Sequence, residues 1–163
     1  MEVKNILSLS IKKISKSDRE DVFNIIKGIE NFNFKDKLIA CELIDECLNY
    51  DTGEYLIYCA LEKDKILGYI CYGEASLTEG TYEVYYIAVD KKHQRKGVGQ
   101  YLMMEIEKKL SGICRMILIE TSSDYTYNLT QKFYEKQGYK EIFRIKDFYK
   151  EKEDKIIYQK KLK

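Results

Sequence analysis

The stretch from residue 82 to residue 119 constrains the fold of this chain most, because its hydrophobic period changes twice within it. Residues 82–89 are a run of aromatic and branched side chains, the composition of a strand. A short basic loop follows. Residues 98–110 then carry Leu102, Met103, Ile106 and Leu110 at helical spacing, and the pattern stops near Gly112, as a helix with a glycine just past its end should. Residues 116–119 are continuously apolar, which reads as a strand covered on both faces. Helices alternating with strands in this way imply a central sheet with helices on its faces, partly parallel near its middle.

The rest of the chain fits around that unit. Leu7, Leu9, Ile11 and Ile14 suggest an edge strand over residues 7–14. Ser17-Asp18-Arg19-Glu20 resembles a capping box, and Val22, Ile25, Ile26 and Ile29 repeat at helical spacing behind it. A second amphipathic segment covers about 36–48, where Cys41 and Cys47 read as small apolar fillers. After Asp51-Thr52-Gly53, residues 55–61 and 66–72 are joined by a polar Glu62-Lys63-Asp64-Lys65, a hairpin signal. Thr78-Glu79-Gly80-Thr81 makes the next turn. Downstream, a helix over about 127–137 is ended by Gly138, and two last strands cover about 139–149 and 155–161. The expected order is β-α-α-β-β-β-α-β-α-β-β in one domain, 1–163: a mixed α/β (α+β) fold of about seven strands and four helices.

Composition bounds the function. A chain of 163 residues can bury roughly two-thirds of its unfolded surface. Its 45% hydrophobic and 34% charged residues are the balance of a globular protein. A net charge of +1 argues against nucleic acid or an anionic membrane as partner, while leaving room for a local basic patch. The longest nearly apolar run, residues 55–61, is too short to span a bilayer. The opening MEVKNILSLSIKK lacks a signal-peptide cleavage pattern. Five widely spaced cysteines without a C-x-x-C pair give neither a disulfide framework nor a zinc ribbon, and the single histidine, His93, excludes a multi-histidine metal centre. A reduced, cytoplasmic protein without a metal is expected.

The chemistry concentrates where the strand meets the helix. Gln94-Arg95-Lys96-Gly97-Val98-Gly99 leads directly into the helix at residue 98. Glycines let a ligand approach the backbone, the first helical N–H groups lack internal partners, and the helix dipole favours negative charge there. Lys91, Lys92, Arg95 and Lys96 add positive charge. Other phosphate cradles fit badly: the sequence has no Gly-Lys pair for a Walker loop, and Leu102 stands where a Rossmann fingerprint needs its third glycine. The R/Q-x-x-G-x-G/A pattern at Gln94, Gly97 and Gly99 resembles the acetyl-CoA-binding motif of the GNAT superfamily of N-acetyltransferases. The order of elements is similar to that family's across essentially the whole chain. Phe133-Tyr134-Glu135-Lys136-Gln137-Gly138-Tyr139 resembles the family's helix-ending F/L-Y-E-x-x-G-F/Y segment. Where the family often has Asn and Ala, seven and four residues before that tyrosine, this chain has Tyr127 and Thr130, with Asn128 one place out of register.

The resemblance implies an enzyme that moves an acetyl group from acetyl-CoA to a primary amine. Backbone N–H groups of Arg95, Lys96, Gly97, Val98, Gly99 and Gln100 would hold the CoA diphosphate. The backbone of Ile87 and Val89 would pair with the pantetheine arm, where two parallel strands, residues 83–89 and 115–121, splay apart. Tyr134 matches the residue that protonates the departing thiolate. Glu83, six residues before Val89, matches the general-base glutamate of the histone-acetylating branch. A base is required because an alkyl amine, with a pKa near ~10, arrives protonated at neutral pH. The amide of Val89 would face the oxyanion. The acceptor is a small-molecule or peptide amine, with Asp147 and Tyr149 as candidates for its border. Many members pair through edge strands, so a homodimer is open. The alternative is a GNAT-fold module that binds CoA as a sensor without transferring anything.

Overall fold

The computed structural model describes residues 8–50 and 52–162. Among these the chain forms β1 (Ser10–Lys13), α1 (Arg19–Lys27), α2 (Phe34–Asn49), β2 (Leu56–Glu62), β3 (Lys65–Glu74), β4 (Thr81–Val89), α3 (Val98–Leu110), β5 (Met116–Ser122), α4 (Asn128–Lys136), β6 (Lys140–Lys150) and β7 (Glu153–Lys161). This is the expected order and fold class, with seven strands in one sheet of order β1-β2-β3-β4-β5-β7-β6. Leu7 of the expected edge strand and Asp51 of the expected turn lie outside the described residues. The chain divides into two compact units, residues up to Gly73 with Tyr86–Lys109, and Glu74–Tyr85 with the residues from Leu110 on.

In the first unit, β1, β2 and β3 pair antiparallel. Lys63 and Asp64 turn the β2–β3 hairpin with φ of 47° and 64°, the two left-handed residues of a type I′ turn, whose twist matches that of the flanking strands. Val22, Ile25 and Ile26 of α1 and Ala40 and Ile44 of α2 are buried, and Arg19 bridges the helices with hydrogen bonds of 2.5 and 2.8 Å to the Asp45 carboxylate. The capping box falls two residues earlier than the sequence suggests. Asp18, buried, accepts from the Ser15 amide at 2.9 Å and the Ser15 hydroxyl at 2.6 Å, and ion-pairs with Lys12 at 2.7 Å. A 3₁₀ turn over residues 16–18 separates this cap from α1, so Ser17 falls within the 3₁₀ turn and Glu20 within the first turn of α1. Helix α3 buries Val98, Tyr101, Leu102, Met103 and Ile106.

In the second unit, β4 runs parallel to β5 over Thr81↔Met116 to Val84↔Ile119. β5 and β7 pair antiparallel, as do β7 and β6. Ile117, Ile119, Ile156 and Tyr158 are buried on one face. The other face of β5 is open, with Leu118 half-buried and Glu120 exposed, so β5 is covered on one side and not on both as its apolar run suggests. A charge two residues after Leu118 is the physical sign of that open face.

Gly80 in the turn before β4 shows why a glycine stands there. Its φ is 71°, and a Cβ would come within 2.7 Å of the Ile113 carbonyl oxygen and 3.4 Å of the Arg115 amide nitrogen. Both obstacles are backbone, and the Gly80 carbonyl accepts from the Arg115 amide at 2.7 Å. Gly80→Ala is expected to destabilise by about 2–5 kcal/mol, combining overpacking with a left-handed alanine. Thermal denaturation should show a melting temperature lower by roughly 5–15 °C.

Candidate active site

The loop after β4 gathers backbone amides and basic side chains at a helix start. Asp90 opens it by accepting the Lys92 amide at 2.8 Å, and its carboxylate lies 3.3 Å from His93 Nδ1. Burial pushes the Asp90 carboxyl up, but these two contacts outweigh it and hold it below its ordinary value. Gln94 donates its side-chain amide to the Val89 carbonyl at 3.2 Å, folding the loop back on the end of the strand. Arg95 and Gly97 then adopt left-handed φ values of 59° and 87°. For arginine that conformation costs of order 1–2 kcal/mol, and alternating handedness points successive amides to one side, the geometry of an anion nest. The first ladder bond of α3 is Tyr101 N–H to the Gly97 carbonyl at 2.9 Å, so the amides from Arg95 to Gln100 precede the helical ladder.

The side chains contribute less uniformly than their sequence density suggests. Lys91 is ion-paired to Glu30, which removes one of the four expected charges. Lys96 donates to the Lys92 carbonyl at 2.6 Å, keeping its ammonium beside the loop. The donor set suits a phosphate ester: backbone N–H groups at a helix start, with Lys92, Arg95 and Lys96 exposed around them.

A cleft lies where β4 and β5 part. Their ladder ends at Val84↔Ile119, although β4 continues to Val89 and β5 to Ser122. The cleft has a volume of ≈ 250 Å³ and is lined by Glu83, Val84, Tyr85, Leu118, Glu120 and Ile157. Register explains this set. Glu83 pairs with Leu118, and Glu120 pairs with Ile157, so their side chains share one face. Glu83 has no ion-pair partner among the described residues, whereas Glu120 is bound by Lys155 at 2.6 Å.

Tyr134 sits on the other face. From α4 its ring packs against those of Phe133, Tyr139 and Tyr158, with centroids 5.5, 6.2 and 5.9 Å away. Tyr158 pairs with Ile119, one residue out of phase with the cleft-lining Ile157. Burial, with a smaller contribution from Tyr127, raises the Tyr134 phenol well above its ordinary pKa, so it stays protonated through neutral and mildly alkaline pH. Tyr127 therefore stands near Tyr134 at the place where the family often carries asparagine.

Two residues at the far hairpin serve the fold as well. Asp147, at φ 51°, accepts the Lys152 amide at 2.6 Å and donates its own amide to Asp154 at 3.0 Å. Tyr149 is half-exposed, and burial with the nearby Glu120 and Glu153 raises its phenol. Sequence reasoning missed Glu120 and Lys155. A lone carboxylate two residues after Leu118, in an otherwise apolar strand, was the available signal for the first, and only pairing register reveals the second.

The fold and these features define a mixed α/β protein with a basic, glycine-containing loop at a helix start and a carboxylate-bearing cleft at parted parallel strands. The chain belongs to the GNAT acetyltransferase family: the profile of the acetyltransferase (GNAT) domain matches residues 53–141, more than half of the chain. A GNAT-family structure from Desulfovibrio desulfuricans is 31% identical, with a TM-score of 0.88, covering 95% of this chain and 99% of that one. The ribosomal-protein-S18-alanine N-acetyltransferase of Escherichia coli shares the fold at 19% identity and a TM-score of 0.74, covering 94% of both chains. So does an aminoglycoside 6'-N-acetyltransferase complexed with coenzyme A, at 15% identity and a TM-score of 0.73, covering 94% of this chain and 97% of that one. Among curated protein sequences none matches this chain. Among the described residues no cluster of His, Cys, Asp or Glu is arranged to hold a metal, and no helix is long and apolar enough to cross a membrane.

Proposed function

We propose that the whole chain acts as one N-acetyltransferase domain in a reduced cytoplasmic setting, moving an acetyl group from acetyl-CoA to a primary amine by direct attack in a ternary complex. The observation that carries this reading is the cleft at the parted strands, with the unpaired Glu83 carboxylate on one face and the protonated Tyr134 on the other. Bound there, acetyl-CoA supplies an activated acyl group on a thiol that can leave. The amides of Arg95, Lys96, Gly97, Val98, Gly99 and Gln100 hold its diphosphate, with Gln94 fixing the loop through the Val89 carbonyl. The backbone of Ile87 and Val89 would pair with the pantetheine arm, and the Val89 amide would stabilise the oxyanion.

Glu83 accepts a proton from the arriving ammonium, directly or through one water, and so generates the attacking amine. Tyr134 donates toward the departing sulfur. The burial that raises the phenol would raise a thiolate in the same water-poor surroundings, which keeps that donation feasible. With acetyl-CoA bound, Glu83 would thus serve the attacking amine and Tyr134 the leaving thiolate.

Two measurements test this together. Acetyl-CoA at a hundredfold its Kd should stabilise the protein by about 2.7 kcal/mol, and a panel of small amines and peptides should release CoA thiol. The absence of any thermal shift with acyl-CoAs would sink the reading. A shift without thiol release from any amine would make the protein a CoA-binding module.

A further inference from the structure

The cleft contains two carboxylates in unequal states. Glu83 has no ionic partner among the described residues, while Glu120 is bound by Lys155 Nζ at 2.6 Å. Lys155 is well placed to persist there. It leaves β7 opposite Ser122, its side chain is only 16% exposed, and its ammonium lies 4.5 Å from the centre of the Phe148 ring, a cation–π contact. The remaining walls, Val84, Tyr85, Leu118 and Ile157, are apolar or aromatic.

We propose that Lys155 sets the charge preference of the acceptor site. By neutralising Glu120 it leaves Glu83 as the single uncompensated carboxylate in the cleft, which then takes an amine with one positive charge on a short apolar stem and discriminates against diamines. This rests on reading the cleft as the acceptor site. A second ammonium entering there would find no free anion to meet it and would be repelled by Lys155. The ≈ 250 Å³ volume suits a small amine body. Lys155 touches Glu120 and acts through it, so it is a positioning residue for specificity.

The test compares pentylamine with 1,5-diaminopentane, which differ by one ammonium. The full-length protein should show kcat/KM about tenfold or more in favour of pentylamine. Lys155→Met frees Glu120 and should move that ratio at least tenfold toward the diamine, largely through KM. Lys155→Arg, which keeps the cation, should retain the original ratio. Glu120→Gln leaves Lys155 bare and should move the ratio further toward pentylamine, and it covers the case in which Lys155→Met does not fold. A ratio that stays within about twofold across these variants, while they still turn over, would overturn the proposal and leave the acetyltransferase reading standing. No turnover of either amine by the unaltered protein, with acetyl-CoA still bound, would overturn the cleft as an amine site and the proposal with it. All folds are relative to unaltered protein at fixed ionic strength, since exposed charges are screened.

Discussion

Tyr134→Phe is expected to lower kcat by about 10²–10⁴-fold, the usual contribution of a positioned acid, while leaving acetyl-CoA binding in place. The prediction separates chemistry from packing. Phenylalanine keeps the ring contacts with Phe133, Tyr139 and Tyr158 and removes only the hydroxyl. The melting temperature should therefore change by a few degrees at most, and its rise with acetyl-CoA should persist. Burial holds the phenol protonated well beyond neutrality, so the unaltered enzyme should lose no activity from this group as pH rises through 8 and 9. If Tyr134→Phe turned over within threefold of the unaltered protein across that range, Tyr134 would be a core aromatic of α4 and the proton would come from elsewhere.

The fold was legible because its signals are local. The period change at residues 82–119 and the glycines after the third and fourth helices carry the alternation of strand and helix, and α3 falls on the expected 98–110. The cap of α1 was misplaced because two serines and two acids lie within six residues, and burial of Asp18 decides between them. The loop motif was legible in kind but not in its electrostatics. Lys91 is neutralised by Glu30, sixty-one residues earlier, and no local pattern announces that pair. The cleft was half legible. Glu83 lies inside a motif-bearing strand, whereas Glu120 and Lys155 are joined only by the antiparallel register of β5 with β7. Long-range register is set by the sum of many weak pairings, which a linear reading cannot add up.

Glu83→Gln should produce the second large loss, about 10²–10⁴-fold in kcat/KM at neutral pH, and its pH dependence identifies the cause. With a carboxylate in the cleft, the amine can bind as the ammonium and lose its proton there. The rate should then stay nearly flat from neutrality up to the amine's own pKa near ~10. Without the carboxylate, only amine already deprotonated in solution can attack. That fraction grows about tenfold per pH unit below the amine pKa, so the variant's rate should climb with unit slope and its deficit should shrink toward pH 10. Glutamine is nearly isosteric, and Glu83 has no ion pair to lose among the described residues, so the melting temperature should hold. A variant with the same flat profile as the unaltered protein would assign the proton to another group. Glu120 is the next carboxylate on that face, but it is held in an ion pair with Lys155 at 2.6 Å. The double variant Glu83→Gln, Lys155→Met bears on this directly: freed from its lysine, Glu120 should restore part of the flat neutral limb only if position on the cleft face, and not the identity of the strand, is what makes a base.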